Sequence, residues 1–213
     1  MNNMILLELL RKGRVEEAIC LLEDEIYQNS LDTKSGAKKR YSAMKKYFTY
    51  HQPTREALKK PCFVEYEGKT YTSFCNAWSL VLTTEDAGEI ELYDNSSDNY
   101  PDVIGLLRFD GIKKKIDFNK VIAEAKSKGY RLNKKEVGPG FNYLMLYDGT
   151  YYKIGLLDIT YGVINDGEPV LTYHPDGEKM PLVFQNDLGM GILMPVFMTT
   201  GEVDEKHIII EVE

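Results

Sequence analysis

Two stretches of this chain read as divergent copies of one unit, and a duplicated unit restricts the possible folds more than any short motif does. Residues Glu67–Tyr93 (EGKTYTSFCNAWSLVLTTEDAGEIELY) and Asp148–Tyr173 (DGTYYKIGLLDITYGVINDGEPVLTY) each open on an acid–Gly turn and pass through a Thr/Tyr segment. Each then crosses an apolar run, SLVL or YGVI, meets a second acid-and-Gly turn and closes on a strand ending in Tyr. Either a β-rich unit has been duplicated, or the echo is the ordinary recurrence of hairpins in an α+β chain.

The remaining elements follow from periodicity and punctuation. Val15, Ala18, Ile19, Leu22 and Ile26 recur with the 3.6-residue period of a helix. Met4, Ile5, Leu9 and Leu10 form a shorter apolar face before Gly13, so residues 1–30 read as a helical hairpin. The start Gly13–Ile19 (GRVEEAI) resembles one half of a TPR-type repeat; such units need neighbours to cover their apolar faces, so the single hairpin is expected to be a cap or a partner-binding arm. Asn29–Gly36 is a polar, turn-rich linker, and Lys38–Tyr50 is a helix ended before Pro53. Strands are expected at Phe63–Tyr66 and Thr70–Phe74 around Glu67–Gly68, then at Trp78–Thr84 and Glu89–Tyr93. Asp117 caps a helix whose stripe is Phe118, Val121, Ile122 and Ala125, with Gly129 at its end. Strands Phe141–Tyr147 and Thr150–Ile154 flank Asp148–Gly149, and Leu156–Ile164 is either a short helix or a buried strand. Val170–Tyr173, Leu182–Gln185, Gly191–Val196 and Ile208–Val212 complete the strands. The fold class is α+β, with antiparallel sheets, helices packed on one face and an N-terminal helical hairpin. The domain reading is 1–30 for the hairpin, 34–110 for a basic helix and first β-rich half, and 111–213 for the second half.

Charge is unevenly distributed. Between Lys34 and Lys60 nine basic residues face only Glu56, a net of +8, which leaves −15 for the rest of a chain whose total is −7. The helix residues Lys38, Lys39, Arg40, Lys45 and Lys46, interleaved with Tyr41, Tyr47, Phe48 and Tyr50, form either a solvated face or a DNA-binding surface. Three cysteines without CxxC spacing are expected to be reduced, mostly packed thiols in a cytoplasmic protein, with no zinc site. No run of roughly 20 apolar residues is present, so no membrane span is expected, and the first ten residues lack the features of a secretory signal. His51, His174 and His207 share no metal spacing, and the phosphate-loop, dinucleotide and nucleophile-elbow patterns are absent. The expectation is a non-enzymatic protein without catalytic residues, metal or cofactor. An enzyme with a dispersed site is the alternative.

The C-terminal part adds a resemblance. Residues 179–196 (KMPLVFQNDLGMGILMPV), Tyr100-Pro101-Asp102 and Leu156-Leu157-Asp158 resemble, in order, segments of the bacterial DNA sliding clamp, the DNA polymerase III beta subunit family. The resemblance covers roughly Tyr100–Val196. It implies duplicated βαβββ-type units and an apolar cleft that accepts short peptide motifs from replication or repair proteins. By position, Leu182, Phe184, Met194, Pro195 and Val196 would line that cleft or be simple core. A ring around DNA would require a homo-oligomer, since the family carries three domains per chain and this chain has room for one and part of another. The family also ends soon after Met-Pro, whereas this chain continues to residue 213. The implied function is a clamp-fold binding protein, of phage or mobile-element type, touching DNA or replication proteins. A protein-interaction adaptor using the arm Met4–Tyr27 is the other reading.

Overall fold

The turn at Glu67–Gly68 sets the first piece of the sheet. Both residues adopt positive φ, 50° and 74°, the geometry of a two-residue turn whose twist matches paired strands. It joins β1 (Cys62–Tyr66) to β2 (Lys69–Cys75), with Tyr66 opposite Lys69 and Cys62 opposite Ser73. The computed structural model describes residues 3–50, 55–94, 100–107, 113–117, 120, 123, 127, 143–146, 150–167, 171–175, 180–196 and 208–210. Three helices precede the hairpin: α1 (Asn3–Arg11), α2 (Val15–Ser30) and α3 (Ala37–Tyr50). After it come β3 (Ser79–Thr83), β4 (Lys113–Ile116), β5 (Tyr143–Leu146), β6 (Tyr151–Lys153) and α4 (Ile154–Gly162). The chain continues through β7 (Leu171–Pro175), β8 (Leu182–Asn186), β9 (Gly189–Leu193) and β10 (Ile208–Ile210).

Seven strands form one antiparallel sheet in the order β1-β2-β3-β9-β8-β7-β4. The central seam is β3 against β9, so strands from segments 34–110 and 111–213 share a single sheet. A second sheet has the order β10-β5-β6; β10 runs parallel to β5, an exception to the all-antiparallel expectation.

Alternation along the strands builds two apolar layers. Phe74, Val81, Leu182, Phe184 and Leu193 face a core that includes Tyr41, Met44 and Tyr47 of α3 and Leu156, Leu157, Ile159 and Tyr161 of α4. Tyr71, Cys75, Leu80, Leu82 and Ile192 face the opposite side, covered by Leu58 and Val103 with Tyr100, Ile104 and Leu107 beside them. Helices α3 and α4 therefore lie on one face of the large sheet, as the α+β reading requires.

Several local expectations need correction. The run Leu156–Ile164 opens in α4, whose residues are buried almost all round, and this explains why it showed no amphipathic period. Glu89–Tyr93 is not a strand: Ile90 N–H donates to Ala87 O at 3.1 Å and Tyr93 N–H to Pro61 O at 2.7 Å, leaving no ladder. The echoing stretches also differ in form, since SLVL is the central strand β3 whereas YGVI ends a helix. Of the Asp117 helix, Lys120, Ala123 and Ser127 are helical, and Asp117 Oδ1 accepts the Lys120 N–H at 3.0 Å, the expected cap. Its apolar stripe and the Asp148–Gly149 turn lie outside the described residues, as do His51 and His207, the two histidines not in β7.

Candidate functional site

Helices α1 and α2 form an arm that, among the described residues, touches the body through few groups. Their connection is closed by Gly13 N–H to Leu10 O at 3.1 Å and Arg14 N–H to Leu9 O at 2.9 Å. Ala18, the buried residue of α2, is small enough to let a neighbouring helix approach closely. The body side of α2 is fixed by Asp24. Its carboxylate accepts from Tyr41 Oη at 2.8 Å, from Gln28 Nε2 at 3.0 Å and from the Lys45 ammonium. Beside it the Tyr27 and Tyr41 rings stand 4.8 Å apart.

These contacts shift the titration of both partners. Partial burial works to raise the Asp24 pKa, but the bonds from Lys45, Tyr41 and Gln28 outweigh it and the net shift is downward. Burial and the facing Asp24 carboxylate push the Tyr41 hydroxyl well above the ordinary phenol range, so it stays a donor.

Two open grooves flank this contact. One, of about 510 Å³, is lined by Leu9, Cys20, Leu21, Asp24, Tyr41 and Ile90 among others. The other, of about 370 Å³, lies between Ile5 and Leu6 of α1, Gln28 and Asn29 of α2, and Lys38 of α3. The exposed apolar residues of the arm are more distinctive. Of eleven large apolar side chains exposed among the described residues, eight belong to α1 and α2: Met4, Ile5, Leu7, Leu10, Val15, Ile19, Leu21 and Ile26. Met4 is 78% exposed and Ile26 69%. Isolated exposed apolar residues are normal, whereas eight on one helix pair are a concentration.

The five basic residues of α3 have divergent surroundings. Arg40 is only 4% exposed: its guanidinium donates to Glu85 Oε1 at 2.8 Å, to Ser35 O at 2.7 Å and to Asn165 O at 3.4 Å. Lys45 is bound to Asp24, and Lys38 Nζ reaches Asn29 Oδ1 at 3.3 Å. Lys39 and Lys46 are exposed, and no acid pairs with either among the described residues. The helix thus spends two of its five charges inside the chain.

The apolar quintet is brought together only in part. Leu182 and Phe184 are completely buried in the helix-side core, against Phe74, Tyr152 and Leu193. Met194 is exposed, with its N–H held by Trp78 O at 2.8 Å; Pro195 is buried, and Val196 bridges to Tyr151. A cleft using Leu182 and Phe184 would have to open that core. Tyr152, which sequence reasoning did not single out, is buried in the same core and donates its hydroxyl to Met180 O. Cys62 and Cys75 are buried, and burial pushes both thiols up, whereas Cys20 is exposed on the arm. Among the described residues no group of three or more His, Cys, Asp or Glu side chains could hold a metal ion, and no helix is long and apolar enough to cross a membrane.

Comparisons of the chain with protein-family models, with curated proteins and with solved structures give no match.

Proposed function

We propose that the chain is a protein-interaction module in which the α1–α2 arm receives a partner and the seven-stranded sheet with α3 and α4 serves as its rigid support. The observation that carries this reading is the concentration of exposed apolar side chains on the arm, from Met4 to Ile26. A helix pair of this kind lowers its free energy by covering that surface, at about 25 cal/mol per Å² of apolar area removed from water. Asp24, Tyr27 and Tyr41 hold the pair at a fixed place on the body, so a partner meets an ordered surface and loses less affinity to ordering. Deleting residues 1–30 and comparing the proteins recovered by affinity capture tests the reading. Loss of the specifically captured partners is expected, and their full retention would refute it.

A second reading extends the clamp-like expectation to DNA. It is supported by the antiparallel sheet with helices on one face and by Lys39 and Lys46, exposed seven residues apart on α3. It requires duplicated units, a ring of several copies and binding of replication or repair proteins through short peptides. Duplex DNA should then bind at low salt and be released steeply as salt rises. Binding that is absent at low salt, or independent of salt, removes this reading.

A further inference from the structure

The partner's chemistry can be narrowed further, on the reading that the arm is the docking element. At 100° per residue, Val15, Ile19, Leu22 and Ile26 lie within about 60° of one another on α2. Asp24, Tyr27 and Gln28, which face the body or its grooves, lie on the other side of that helix. The Val15–Ile26 stripe therefore points away from the sheet. On α1 the grooves beside the body take Ile5, Leu6 and Leu9, which leaves Leu7 and Leu10 turned outward. Two neighbouring helices with outward apolar stripes make the seat used for a third helix, read by anchors at i, i+3, i+4 and i+7.

Charge distinguishes which helix fits. Glu16 and Glu23 are exposed along one edge of the α2 stripe, seven residues and roughly 10 Å apart. No cation pairs with either among the described residues, whereas Glu8, Glu17 and Asp24 are bound to Lys12, Arg14 and Lys45. We infer that the arm's outer face docks an amphipathic α-helix of another protein, with an apolar stripe and with Lys or Arg seven residues apart along the edge that meets Glu16 and Glu23. A second copy docked antiparallel about a two-fold axis would instead set each glutamate edge against its own equivalent. Like charges so placed repel, which argues against that occupant.

The test uses the full chain and two 18-residue model peptides with the same leucine stripe, one carrying lysine and the other glutamate at every polar position. Fluorescence anisotropy should show the lysine peptide bound at least tenfold more tightly than the glutamate peptide. The variant Ile19→Glu, at an exposed position, should abolish binding of both. The double variant Glu16→Lys with Glu23→Lys should weaken the lysine peptide about tenfold and strengthen the glutamate peptide. Equal affinity of wild type for both peptides, or no effect of the double reversal, overturns the basic-helix assignment. If Ile19→Glu still abolishes binding in that case, the arm reading itself survives. If Ile19→Glu changes nothing, the arm reading fails as well. Failure to bind either peptide, together with a mass in light scattering that doubles with concentration and falls to the monomer in Ile19→Glu, overturns the assignment in favour of a second copy. Failure to bind either peptide without such doubling also overturns it.

Discussion

Arg40 shows how one side chain of a basic helix can serve the fold. It is buried, and it ties α3 to Glu85 beyond β3 and to Asn165 beyond α4. Replacing Glu85 with Ala would leave that guanidinium buried without its counter-ion, a change that typically costs about 3 kcal/mol. Urea denaturation should show a loss of that order, and a negligible loss would mean that Arg40 is hydrated in solution. Asp24 gives a pH-dependent counterpart. Its folded pKa is lowered, so its contribution is fully present above the ordinary aspartate value and disappears as pH falls through the lower folded one. Asp24→Asn should therefore be less stable than wild type by on the order of 1 kcal/mol near neutrality. The gap should close below about pH 4. Thermal melts of both proteins between pH 3 and 7 check this, and a gap that widens on acidification would contradict it. The basic run was legible in the sequence, but the burial of Arg40 within it was not. Periodicity locates the inner face of α3 without saying which acid from a distant loop will meet it.

At the scale of elements, the sequence was informative where a local rule had one outcome. Glu67–Gly68 between alternating residues specified the β1–β2 hairpin, and the Val15–Ile26 period specified α2. Glu89–Tyr93 failed because alternation of acid and apolar residues satisfies a strand template even where no neighbouring strand is available to complete a ladder. The same limit applies to the candidate site. The arm's apolar residues were visible, but only the packing of α2 against Tyr41 shows which of them remain uncovered. The β3–β9 pair rests on a feature no pattern announced. A Cβ at Gly189 would lie 2.0 Å from Leu82 O, a backbone atom that cannot step aside. Gly189→Ala should force the central strands apart and cost about 1–3 kcal/mol or more. A guanidinium unfolding curve displaced by less than 0.5 kcal/mol, an amount typical of neutral surface changes, would show that the seam is more pliable than this geometry allows.

Across the whole molecule, stability should be graded. The arm is joined to the body by a small polar and aromatic contact, while β3 and β9 sit mid-sheet with Leu80, Val81, Leu82 and Leu193 buried. Hydrogen exchange should accordingly release amides of α1 and the first turns of α2 well before those of β3 and β9. Equal protection across both would imply that the arm is covered in solution. The seam also imposes an order in time. Thr83 pairs with Gly189, so the edge that β3 offers has no mate until more than a hundred further residues have been synthesised. At about 5–20 residues per second that is roughly 5–20 s during which a strand edge that ends fully buried has left the ribosome without its partner. The nascent chain, rather than the finished protein, is where this sequence is most open to wrong pairings, and where a holding chaperone would matter most.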